Sequence, residues 1–304
     1  MKTLVLSMIS IAATVAAMTA CTSESDPIND ITNPKDAKVE IKLNAGVLGV
    51  ETKAAITTST TFIATIAGWE GSTAPSTTTQ PTWNTTTEAI SGGATSAEVK
   101  LTTPQYYNPN GEKTFIIGYY PTGTLKDGKV TFTNTKGDVD VMMTSIEDAG
   151  TRTSSSATAI TFSHKLSQLK MNIKKDNSLN EDVTLTSITV KNAEIPTGFD
   201  IATGEITYET AKDIAISNIS NNTINSNSGS AGDAIMIKPI STKQITLDIV
   251  TSQGTFTNIP VTLSTEDTHG GTSYDIELTF KKKAIDVTAT VTDWTQANGT
   301  GEVI

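Results

Sequence analysis

The chain has 304 residues and a formal net charge of −10, with 18% charged and 5% aromatic residues. That acidic balance excludes nucleic acid as a partner, because phosphates demand a basic face. Thr, Ser and Asn fill the polar positions, and long Ala/Leu/Glu/Lys runs at helical spacing are missing, which argues for many strands with polar turns and against a helical enzyme core.

The N-terminus reads as an address. Met1-Lys2-Thr3 is a short basic start, and Leu4–Ala20 is apolar and rich in small residues. Residues 1–20 therefore have the make-up of a secretory signal, too short and wrongly flanked for a spanning helix. The segment ends in Met18-Thr19-Ala20-Cys21. Small residues ahead of the cysteine resemble a lipobox, with Met18 where leucine is usual. The resemblance implies cutting before Cys21, a diacylglycerol on its thiol, and anchorage in the outer membrane. Cys21 is the single cysteine, so no disulfide forms within the chain and stability must come from core burial. Residues 21–37 are polar, hold Pro27 and Pro34, and lack periodicity; they read as a flexible tether. Glu24 and Asp26 match either an acidic surface-export signal or a solvated linker.

Strands follow in the body. Val39, Ile41, Leu43, Ala45 and Val47 are apolar at every second position, which marks one buried face. Thr61–Ile66 is a short strand. Gly68–Ser96 is a long Thr/Ser/Pro stretch containing Trp69 and Trp83. Ala97–Leu101, Lys113–Tyr120, Lys129–Phe132 and Val139–Met143 are further strands, separated by turn chemistry at Asn108-Pro109-Asn110-Gly111, Lys126-Asp127-Gly128 and Lys136-Gly137-Asp138. The polar break Gly150–Ala157 divides an N-terminal domain, 38–157, from a C-terminal domain, 158–304. Ile160–Lys174 reads as a long bent strand or a short helix. Val183–Lys191, Ile206–Ile219, Ala234–Ile237, Gln244–Val250, Phe256–Leu263, Tyr274–Lys282 and Ala284–Val291 complete the set, with a long Asn/Ser loop over Ser217–Gly232. Short strands at this spacing predict an all-β chain of two sandwich domains.

Residues that carry chemistry are scarce. His164 and His269 are the two histidines, and neither has a metal spacing. On a strand, His164 reads as a packed or hydrogen-bonded residue; His269 precedes Gly270-Gly271 and reads as a turn residue. Asp138 and Asp140 offer calcium two ligands where it takes six or more, so they read as solvent-facing strand residues. A G-x-S-x-G elbow, a phosphate loop and a G-x-G-x-x-G turn are all absent. No cofactor, metal or catalytic residue is expected.

The signal ending at Cys21, the segment VEIKLNAGVLGVETKAAIT, the strand FSHKLSQLKMNI and the closing GTSYDIEL…IDVTATVTDW together resemble the fimbrillin family, the type V pilins. The resemblance covers nearly the whole chain. It implies two tandem transthyretin-like β-sandwich domains and a structural, non-enzymatic subunit of a surface fimbria that supports adhesion. It also implies export as a lipoprotein, a protease cut after a basic residue behind the first strand, and filling of the vacancy by a neighbour's C-terminal strand. Carried onto this sequence, the removable part is 38–53, with Val39, Ile41, Leu43 and Val47 facing the groove. The cut falls between Lys53 and Ala54. The family commonly has arginine there, so lysine calls for a lysine- or trypsin-like protease. The donor lies within 284–304, with Ile285, Val287, Ala289 and Val291 as plugs. The implied partners are copies of the chain or related pilins, the protease, the outer membrane through Cys21, and a host or bacterial surface ligand. The alternative is a glycan-binding surface lipoprotein in which Trp69, Trp83, Tyr106 and Tyr107 stack on sugar rings; the same four residues also suit a β core or loop anchors.

Overall fold

The structure, a computed structural model, describes residues 37–48, 56, 59–219, 222–263, 270–282 and 285–293. All of its regular elements are strands. The first are β1 (Leu43–Val47), β2 (Thr61–Phe62), β3 (Thr65–Gly71), β4 (Trp83–Thr86), β5 (Ile90–Ser91) and β6 (Ala97–Val99). Then come β7 (Lys113–Tyr120), β8 (Thr124–Lys126), β9 (Lys129–Thr131), β10 (Met142–Met143), β11 (Glu147–Thr151), β12 (Ser154–Ser155) and β13 (Thr158–His164). The second half opens with β14 (Ser167–Lys175), β15 (Thr184–Ala193), β16 (Pro196–Asp200), β17 (Ile206–Tyr208), β18 (Lys212–Ala215), β19 (Asn222–Thr223) and β20 (Gly229–Ser230). It closes with β21 (Ile235–Ile237), β22 (Gln244–Thr251), β23 (Gly254–Thr262), β24 (Thr272–Phe280) and β25 (Ile285–Asp293).

The first large sheet runs β12-β11-β7-β10-β13-β1-β6, with β3 on the other edge of β7 and β4 beside β3. Its inner face and the loops that cover it bury one apolar cluster, which includes Ile41, Leu43, Ala45, Ile66, Ile116 and Phe162. In the second half, the sheet β20-β14-β24-β25 faces the sheet β18-β15-β22-β23. Alternate residues of the two meet in a second cluster: Leu169, Met171 and Ile276 on one side, Leu185, Ile188 and Leu247 on the other. That inward alternation is what makes the pair a sandwich.

A third layer joins the halves. The hairpin β8–β9 pairs with the hairpin β16–β17 through Gly198↔Thr131, Phe199↔Val130 and Asp200↔Lys129. Beneath it Phe199 packs edge-on against Tyr119, ring centroids 5.5 Å apart. The Thr78 hydroxyl donates to the Asp200 carboxylate, and Gly128 N–H donates to Gln80 Oε1 at 3.0 Å. Burial opposes ionisation of Asp200, but hydrogen bonds from Thr78, Thr203 and Ala202 overcome it and hold the carboxyl below its ordinary value.

The structure departs from the sequence reading in several places. Gly150–Ala157, an interdomain break by composition, holds the end of β11 and all of β12, a hairpin with Gly150 opposite Ser155. β13 beyond it still belongs to the first sheet, between β1 and β10. The chain changes sheet at Lys165-Leu166, where Lys165 N–H bonds back to Val141 O and Leu166 O receives Gly271 N–H. Ile160–Lys174 is therefore two strands meeting at a sheet change, neither one bent strand nor a helix. The Gly68–Ser96 stretch holds part of β3 and all of β4 and β5. A Cβ at Gly68 would lie 2.2 Å from Trp83 Cε2, so the glycine lets the indole lie across the strand. The Ser217–Gly232 loop contains the short strands β19 and β20.

Candidate functional site

β1 occupies a slot that no other strand shares. On one side it runs parallel to β13, with Leu43↔Thr158, Ala45↔Ile160 and Val47↔Phe162. On the other it runs antiparallel to β6, with Leu43↔Val99 and Ala45↔Ala97. Hydrogen bonds extend both contacts beyond the strand itself. Ile41 N–H donates to Gln105 O at 2.9 Å and Tyr107 N–H to Val39 O at 3.0 Å. Val47 N–H donates to Ala94 O at 2.8 Å, Leu48 N–H to Phe162 O at 2.9 Å, and Thr158 N–H to Lys42 O at 2.9 Å.

The period-two pattern puts the apolar residues inside. Ile41, Leu43, Ala45 and Val47 are 2%, 1%, 0% and 8% exposed, Val39 is half-buried, and Glu40, Lys42 and Leu48 face solvent. Burying the three branched side chains at about 1.5–3 kcal/mol each contributes roughly 5–9 kcal/mol gross. Gly46 is required by a close approach: a Cβ there would fall 2.5 Å from the carbonyl oxygen of Thr95.

The walls of the slot are tied together the long way round. β13 is bonded to β10, β10 to β7, β7 to β3 and β3 to β4. The continuation of β4 is bonded to the strip beyond β6 through the Thr87↔Leu101 bridge, Glu88 N–H to Lys100 O and Thr102 N–H to Thr86 O. The Tyr107 hydroxyl, buried in the same strip, donates to Ala149 O at 2.7 Å. The ring of strands is thus closed, and β1 is one stave of it. Without β1, two rows of backbone donors and acceptors would face each other about 9–10 Å apart, two strand spacings, over an apolar floor.

The other sequence-derived positions are scattered. Cys21, Lys53 and Ala54 lie outside the described residues, as does His269. Ile285, Val287, Ala289 and Val291 lie on β25, whose backbone pairs antiparallel with β24, Ile285 opposite Phe280 and Val291 opposite Tyr274. β25 is the last strand of its sheet. Asp140 is not solvent-facing: it is buried with its Oδ2 2.7 Å from His164 Nδ1, while Asp138 is exposed. A buried carboxylate takes a hydrogen-bonding partner, and β10 and β13 bring this one together. Among the described residues no group of three His, Cys, Asp or Glu side chains is placed to hold a metal ion.

The four aromatics do not form a platform. Trp69 is 5% exposed and donates its indole N–H to Thr79 O at 3.1 Å. Trp83 packs against the β1 cluster, and Tyr107 is 3% exposed. Burial first, and the Asp148 carboxylate second, push the Tyr107 hydroxyl above its ordinary value. Tyr106 alone is exposed, with Lys38 Nζ 5.3 Å from its ring centroid. Sequence reading missed the second wall of the slot, residues 94–107. Its alternation over Ala97–Leu101 marks a strand but does not say that β1 is the strand's neighbour.

This architecture has relatives. A candidate fimbrium subunit of Bacteroides uniformis, Fim1C, is 24% identical in an alignment 235 long that covers 72% of this chain and 73% of that protein. The crystal structure of a candidate cell adhesion protein from Bacteroides uniformis aligns with a TM-score of 0.59 at 19% identity, over 86% of this chain and 100% of that one. A fimbrial protein from Bacteroides vulgatus gives 0.54 at 17% identity, over 84% and 99%. Structural likeness at these identities shows a shared fold. The fimbrillin-like family model goes further, matching residues 52–294, from just past β1 to the residue after β25, and on that match over most of its length the chain belongs to the fimbrillin-like family of fimbrial subunits.

Proposed function

We propose that the chain is a structural pilin subunit of a cell-surface fimbria, exported as an outer-membrane lipoprotein on Cys21, cut after Lys53, and polymerised by strand exchange so as to support adhesion. The observation that carries this reading is the position of β1. It is bonded along both edges, fills the floor of the first cluster with four buried side chains, and lies ahead of the proposed cut.

Loss of β1 strands the bonding groups of β13 and of residues 94–107 beside an apolar groove. Unpaired edges of this kind take up an extended segment from another molecule, because leaving buried donors and acceptors unmet costs about 1–3 kcal/mol each. The proposed donor is the C-terminal segment 284–304 of another copy or a related pilin. A head-to-tail contact of this type builds an open filament and not a closed ring. A trypsin-like protease accepts Lys53, since an acidic specificity pocket pairs with either basic side chain. The two halves are then tandem transthyretin-like sandwiches, divided near Lys165.

Replacing Lys53 tests this. Lys53→Ala is expected to leave a lipidated monomer on the cell. SDS-resistant ladders that persist unchanged in that variant would refute the processing step.

A further inference from the structure

β1 and β25 carry closely similar residues at alternate positions, identical at three of four, with Leu43 answered by Val287. From Ile41 to Val47 the chain reads Ile-Lys-Leu-Asn-Ala-Gly-Val, and from Ile285 to Val291 it reads Ile-Asp-Val-Thr-Ala-Thr-Val. At every second position the residues correspond, including the alanine in third place. In β1 that alanine, Ala45, is fully buried, so the slot is built for a single methyl there.

Backbone pairing alone does not set the direction of an incoming strand. One wall, β13, runs parallel to β1 and the other, β6, antiparallel, so a strand inserted either way makes one ladder of each kind. Side chains decide. Read forwards, β25 sets Ile285, Val287, Ala289 and Val291 on the places of Ile41, Leu43, Ala45 and Val47. Reversed over the same places, it sets Val287 on the Ala45 site and Ala289 on the Leu43 site. Reversed and shifted to keep Ala289 on the Ala45 site, it sets Asp293 where Ile41 is buried, and a carboxylate there is costly.

Given strand exchange as proposed above, we infer that the slot takes β25 of a second copy in the same direction as β1, parallel to β13, with Ile285 in the place of Ile41 and Thr290 in the place of Gly46. One position does not match. A Cβ at residue 46 would lie 2.5 Å from Thr95 O, so Thr290 fits only once residues 94–95 have moved outward. The carbonyl of Thr95 is the specificity determinant of the slot: it favours the chain's own β1 until the cut removes it. The exchange trades the nine-pair ladder of β25 with β24 for two shorter ladders in the slot, five pairs with β13 and three with β6 in the register of β1.

Three labelled peptides spanning residues 284–294 test this by anisotropy against the processed chain. Each carries one glycine, at 286, 288 or 290; because aspartate is itself a poor strand residue where threonine is a good one, Asp286→Gly is read against a fourth peptide, Asp286→Ala. Forward insertion predicts that Thr290→Gly binds on the order of tenfold tighter than the natural peptide, as expected for relief of a packed clash, while Asp286→Gly and Thr288→Gly bind more weakly. Tightening by Thr288→Gly would show the shifted reverse register, and tightening by Asp286→Gly the unshifted one; either overturns the inference. Equal weakening by all three would show that Thr95 does not border the occupant, and overturns it as well. If no peptide, the natural one included, binds a processed chain that keeps its strand circular dichroism, strand exchange itself fails.

Discussion

Leu43→Ala separates a strand that is built into the fold from one that is only lent to it. Leu43 is 1% exposed and opens β1, opposite Thr158 on one wall and Val99 on the other. Removing a fully buried leucine side chain costs about 2–5 kcal/mol, since the surrounding cluster closes only partly over the cavity. For a chain of this size that lowers the melting temperature by roughly 5–15 °C. The uncut precursor should show this loss in thermal or urea denaturation. Processed and assembled subunits made from the same variant should show none, because their slot holds a different strand. Leu247→Ala in β22, fully buried in the second cluster, is the control and should weaken both forms alike. If the Leu43→Ala polymer is destabilised like its precursor, β1 has never left the subunit. If the precursor is unaffected, β1 is not part of the core.

Three further outcomes follow from named contacts. Tyr107→Phe deletes the donor to the buried Ala149 carbonyl and should lower stability by about 1–2 kcal/mol in urea titration, in precursor and processed chain alike, since residues 94–107 remain in both. Gly68→Ala drives a methyl into the Trp83 ring and should cost about 1–3 kcal/mol, with a shift of tryptophan fluorescence as the indole is displaced. Asp200→Asn bears on acid stability. The carboxyl is held below its ordinary value of 3.8, so its contribution is present above about pH 4 and is lost as pH falls through the folded value. The variant should therefore be less stable than wild type at pH 7, and the gap should narrow in denaturation midpoints measured near pH 3.

Legibility in the sequence tracks how local each signal is. Val39–Val47 reads plainly as a one-faced strand because the period-two pattern needs only neighbouring residues. β15, β22 and β24 stand out for the same reason, and β7 as a short continuous apolar run buried on both faces. β3 and β4 are hidden, because Thr65–Gly71 owes its place to Trp83 lying over Gly68, a fit between residues that share no local pattern. The change of sheet at Lys165-Leu166 is not settled by pattern either: the alternation slips by one residue between Leu166 and Leu169, which suits a bend or a helix equally, and hydrogen bonds to Val141 and Gly271 redirect the chain. The layer joining the halves depends on pairing Val130 with Phe199, residues far apart in sequence. At the slot, the stave was readable and its walls were not. Polar residues misled where burial reversed their role, as with Asp140, which alternation assigns to solvent and His164 holds in the core.

Processing as proposed removes everything ahead of Ala54 and gives its place in the first sheet to another molecule. N-terminal sequencing of subunits released from purified fimbriae tests it most directly. Chains that begin at Ala54 are expected. Chains that begin at Cys21, with β1 still attached, would contradict it.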